Sequence, residues 1–80
     1  MNHEVNANYL RDLGDLVKRA AREARTARDD ATREGDKLFE GGRLIAYCEI
    51  ISLMQQQAAA FGLGFDQLAL DDIDPEHDLL

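Results

Sequence analysis

Leu44-Ile45-Ala46-Tyr47-Cys48-Glu49-Ile50-Ile51-Ser52-Leu53-Met54-Gln55-Gln56-Gln57-Ala58-Ala59-Ala60-Phe61 carries a single charge, at Glu49. At about 100° per residue, Leu44, Ala46, Tyr47, Ile50, Ile51, Leu53, Met54, Ala58 and Phe61 spread over roughly half of a helix circumference. The polar side shrinks to Glu49, Ser52 and Gln56. One neighbouring helix is too narrow to cover so wide a face, and leaving it bare would expose a large apolar patch. The stretch therefore predicts a helix that needs more than one partner, with Leu44, Tyr47, Ile50, Ile51, Leu53, Met54 and Phe61 as the candidate dimer interface.

Upstream, Leu10, Leu13, Val17, Ala20, Ala24, Ala27 and Ala31 alternate spacings of three and four. This is the seam of an amphipathic helix facing one partner. Helix one is predicted over about residues 8–34, capped by Asn6 or Asn8 and stopped by Gly35. Gly14 is its one interior flaw, costing about 1 kcal/mol against alanine unless close packing requires it. Helix two is predicted over about residues 37–61, with Asp36 as its cap and Gly41 and Gly42 weakening its first turns. Phe61-Gly62-Leu63-Gly64 reads as a helix stop. The acidic tail, residues 62–80, has apolar points at Phe65, Leu68, Leu70, Ile73, Leu79 and Leu80, and Asp74-Pro75-Glu76 reads as a cap followed by proline at the first helical position. One or two short turns folding back on the bundle are predicted.

The whole, residues 1–80, is then one all-α domain: an antiparallel two-helix hairpin with a short C-terminal helical turn, dimerising into a four-helix bundle. With the turn near residues 35–41, antiparallel partners have numbers adding to about 76, and the alanines of helix one meet the bulky half of helix two. Eighty residues bury a small share of their surface, and short domains are commonly supplemented by disulfides, a metal or oligomerisation. Cys48 is the only cysteine, and His3 and His77 lie at opposite ends. Oligomerisation is the supplement left, and no cofactor is indicated. A lone cysteine fits a reducing compartment. Met1 to Leu10 has no basic start and no apolar run, and no stretch is long enough for a membrane helix. The expected location is the cytoplasm.

Net charge is −7, and it is unevenly placed. Every Lys and Arg lies at or before Arg43, whereas residues 44–80 carry seven acids and no base. An acidic whole disfavours nonspecific nucleic-acid binding. Arg11, Lys18, Arg22 and Arg25 nevertheless line one flank of the helix-one seam. They read as a contact stripe for nucleic acid or an acidic partner, as a solvated face with i,i+4 pairs such as Asp15–Arg19 and Arg25–Asp29, or as a surface covered by the acidic tail. Arg28 projects near the seam, and the register puts Glu49 beside it, so a structural ion pair between them is predicted. Cys48 reads as a small buried hydrophobe. The acids of residues 71–78 lack the glycine and closing glutamate of a calcium loop. No phosphate-binding glycine loop and no nucleophile–histidine–acid arrangement is present.

The run Gly42-Arg43-Leu44-Ile45-Ala46-Tyr47-Cys48-Glu49, continuing through Ser52-Leu53-Met54-Gln55-Gln56-Gln57-Ala58 to Phe61-Gly62-Leu63, resembles a segment of short uncharacterised bacterial proteins. The likeness covers roughly the second half, including a tail similar to Asp72-Ile73-Asp74-Pro75. It implies a bacterial origin and a helical fold, and it assigns no activity and no site residue. By architecture alone the hairpin is also similar to small dimeric helical-hairpin RNA-binding regulators of plasmids. The functional expectation is a non-enzymatic, homodimeric protein–protein interaction or regulatory protein with an unidentified protein partner. The alternative is a regulator that contacts RNA or DNA through the basic stripe.

Overall fold

The computed structural model describes residues 3–80, and Met1 and Asn2 lie outside them. Two long helices, α1 (His3–Asp30) and α2 (Glu34–Ala60), pack side by side as an antiparallel hairpin. A 3₁₀ turn (Phe65–Leu68) and a one-turn helix, α3 (Pro75–Asp78), complete the chain. No strand occurs among the described residues.

The turn falls at residues 31–33, earlier than Gly35 would place it. Charge explains the position. Asp29 and Asp30 face the negative end of α1, which disfavours further helix, whereas Glu34 and Asp36 suit the positive start of α2. Arg33 adopts the extended N-cap conformation (φ −90°, ψ 140°), and Gly35 lies inside the first turn of α2. Gly41 and Gly42 are carried as ordinary helical residues. At the other end α1 runs through Asn6 and Asn8 without stopping.

The earlier turn shifts the register of the whole hairpin. Leu10 and Leu13 share a groove with Leu53, Met54, Ala58 and Phe61. On α1 the buried positions are Gly14, Lys18, Ala21 and Ala24, one step round the helix from much of the predicted seam.

The stop of α2 follows the sequence. Gly62 is left-handed (φ +71°), the Leu63 N–H donates to Ala58 O at 2.8 Å, and the Gly62 N–H donates to Ala59 O at 3.1 Å. This paired pattern closes a helix with glycine past its cap. Asp74 caps α3, accepting from the N–H groups of Glu76 and His77, with Pro75 in the first turn.

Between these two signals the tail lies across one face of the hairpin. Leu68, Leu70, Ile73 and Leu79 join Ala21, Ala24, Leu44, Cys48, Ile51 and Ala58 in the core. Leu44, Ile51, Leu70 and Leu79 are its largest fully enclosed side chains. At roughly 1.5–3 kcal/mol for each large apolar side chain taken out of water, the tail supplies a substantial part of the core energy.

Candidate interaction surface

The tail divides the two-helix layer into a covered face and an open one. On α1, Gly14, Lys18, Arg22 and Arg25 form the row beneath the tail. A Cβ built on Gly14 would sit 1.7 Å from Leu68 O, so the 3₁₀ turn packs directly on the α1 backbone there. Only glycine permits that approach, and the helix-propensity cost is offset by the contact.

Polar side chains from both helices hold the tail's backbone. Lys18 is 7% exposed, and its ammonium donates to Ala69 O at 2.6 Å and to Asp72 Oδ1 at 2.8 Å. From the other helix, Gln55 Nε2 donates to Leu70 O at 3.1 Å and Ile73 O at 2.9 Å. Arg22 lies 3.9 Å from Asp72, and an Arg25 guanidinium N–H donates to Asp78 O. The basic stripe is therefore largely occupied by the chain's own tail. Lys18 is enclosed, Arg22 and Arg25 are engaged, and Arg11 is exposed. The hydrogen bond from Lys18 holds the Asp72 carboxyl below the usual carboxylate range against a smaller desolvation penalty, with the charges of Lys18 and Arg22 assisting.

Two further expectations meet the shifted register. Arg28 pairs with Asp29 at 3.1 Å rather than with Glu49. A Cβ on Gly41 would lie 4.0 Å from Arg28 Cδ, so Arg28 packs beside Gly41, and the exposed Glu49 forms no ion pair with it. Of the candidate interface residues, Leu44 and Ile51 are fully buried within the single chain and are unavailable to a second one. Tyr47 and Met54 are half-buried, whereas Ile50, Leu53 and Phe61 are exposed. The predicted i,i+4 pairs Asp15–Arg19 (2.9 Å) and Arg25–Asp29 (3.9 Å) form.

The open face lies half a helical turn from the tail. On α1, Tyr9, Leu13, Leu16, Ala20 and Ala27 recur at heptad spacing. Ile50, Leu53, Gln57 and Phe61 form the matching row on α2. Leu16 and Leu53 are each 60% exposed and Phe61 76%. At one end the two rows flank a groove of about 340 Å³ lined by Leu10, Leu13, Leu53, Met54 and Phe61. Arg43 stands over the Tyr47 ring, 6.0 Å from its centroid, and pairs with Glu40 at 2.6 Å.

Chemistry-bearing groups are not gathered on either face. Burial pushes the Cys48 thiol up, with Arg28 acting the other way. Among the described residues no group of three or more His, Cys, Asp or Glu side chains is placed to hold a metal ion. No helix of these residues is long and apolar enough to cross a membrane. Gln55, which sequence reasoning passed over within a glutamine run, is the clamp on the tail; its one signal is an amide inside an otherwise apolar helix. Compared with protein families, curated proteins and solved structures, the chain has no significant match.

Proposed function

We propose that this chain is a non-enzymatic protein–protein interaction module that acts as a homodimer, two hairpins laying their open faces together as a four-helix bundle. The observation that carries this reading is the open face itself: apolar side chains run along both helices on the side that the tail meets only at one end, through Leu63 and Leu68. A second copy offers the same surface, as a two-fold contact requires.

Area and shape support the same reading. The chain exposes 5629 Å², against about 4,900 Å² for a compact monomer of its mass. The surplus, roughly 700–800 Å², is close to one partner's share of a standard interface. The radius of gyration is 14.2 Å, where about 12 Å suits a compact domain of this length. The slab measures 48 × 20 × 16 Å, too thin to enclose an apolar layer on both sides.

The nucleic-acid alternative loses support because Asp72 and the Asp78 carbonyl stand where phosphates would meet Lys18, Arg22 and Arg25. Sedimentation equilibrium in the tens of micromolar tests the dimer. Wild type is expected at twice the 9.0 kDa chain mass. Leu16→Glu, a change at an exposed position that leaves the core intact, is expected at the monomer mass. Monomeric wild type would overturn the proposal.

A further inference from the structure

We infer that the groove between α2 and α3, on the edge away from the open face, docks a basic amphipathic helix of another protein. The groove, of about 480 Å³, has Ile45, Cys48, Glu49 and Gln56 of α2 on one side and Pro75, Glu76 and Leu80 on the other. It is independent of the dimer contact, except that Leu53 forms the ridge shared by the two surfaces.

Three observations define the occupant. First, the walls are apolar and accessible: Ile45 is 53% and Leu80 60% exposed. Second, Glu49 and Glu76 are exposed at this groove and form no ion pair among the described residues. No Lys or Arg is among the residues that line this groove, so the two carboxylates are open to a cation from a partner. Two carboxylates beside apolar walls select lysine or arginine flanking an apolar stripe and reject an acidic partner.

Third, the groove follows the α2 axis along the row Ile45, Glu49, Ser52 and Gln56, about three helical turns or 16 Å. It offers no strand edge to pair with, so an extended peptide would gain no main-chain hydrogen bonds from it. A helix satisfies its own and presents its side chains in a matching row.

The probe is a fluorescent helix-forming peptide with leucines at i, i+3, i+4 and i+7 and lysines on both flanks. Its control replaces each lysine by glutamate. Fluorescence anisotropy with the full chain is expected to show saturable binding of the lysine peptide alone, weakening as salt rises. The double variant Glu49→Gln, Glu76→Gln is expected to lose about fivefold or more in affinity, whereas Asp12→Asn, Asp30→Asn on α1 stays at wild-type affinity. Ile45→Ser is expected to weaken binding as well. Both glutamates are exposed, so the fold is retained. Leu16→Glu, which the dimer reading makes monomeric, is expected to bind as wild type, and this separates the two proposals. Equal binding of both peptides, wild-type affinity in the double glutamine variant, or no binding of the lysine peptide overturns the assignment. A drop in sedimenting mass in the double glutamine variant would give the groove to a second copy and overturn it too.

Discussion

The covered and open faces of the hairpin are similar in raw material and different in completion. Beneath the tail, α1 offers Gly14, Lys18 and Ala21, and Leu44, Cys48, Ile51 and Ala58 of α2 share one core with Leu68, Leu70, Ile73 and Leu79. Opposite, Leu13, Leu16, Ile50, Leu53 and Phe61 remain between 38% and 76% exposed. A helix pair has two broad sides and needs a second layer on each apolar one. The tail after α2 is long enough to cross one of them. The difference shows how the tail divides the apolar surface of the hairpin: one side becomes core, and the other stays exposed to solvent.

The largest expected contrast is between two leucines truncated on the two sides. Leu70→Ala removes a fully enclosed side chain and is expected to cost about 3 kcal/mol in denaturant unfolding. Leu16→Ala, measured where the protein is diluted to monomer, is expected to stay within about 0.5 kcal/mol of wild type. Equal losses at both positions would erase the distinction between the faces.

A second contrast sets propensity against packing. Gly14→Ala would gain about 1 kcal/mol in an exposed helix, but here the new methyl collides with the Leu68 carbonyl. A net loss of about 2 kcal/mol is expected, from local overpacking. Gly42→Ala, at an open helical position, is expected to stabilise by up to about 1 kcal/mol. A stabilised Gly14→Ala would show that the 3₁₀ turn does not rest on α1.

The smallest effect concerns the polar ties of the tail. The Asp72 carboxyl is held below its ordinary range chiefly by the hydrogen bond from Lys18. Its folded value lies below its unfolded value, so the stabilisation is fully present above the ordinary carboxylate range and is lost as pH falls through the lowered folded value. Because Asp72 is half exposed, the effect on melting temperature is expected to be small, read as a shallower acid limb in Asp72→Asn than in wild type. Identical acid limbs would remove Asp72 from the account.

What the sequence made legible, and what it hid, follow from how local each signal is. Gly62 past α2 and Asp74-Pro75 before α3 act within a few residues, and both stand where expected. The hairpin turn was misplaced because Gly35 resembles a stop, while the deciding contribution is the charge of Asp29, Asp30, Glu34 and Asp36 against two helix dipoles. That displacement carried the register with it, separating Arg28 from Glu49 and bringing Leu10 and Leu13 against Leu53 and Met54. The over-wide apolar face of α2 was legible as a surplus. Its division between the tail and an open side was not, because it depends on Lys18 and Gln55 reaching backbone carbonyls more than ten residues away.

Solution X-ray scattering of wild type in the tens of micromolar tests the central claim most directly, because it reads mass and length together. Face-to-face pairing of two hairpins doubles the 9.0 kDa mass while the longest dimension stays near that of a single hairpin. A particle of single-chain mass, or one whose length doubles with its mass, would contradict an interface along the open face.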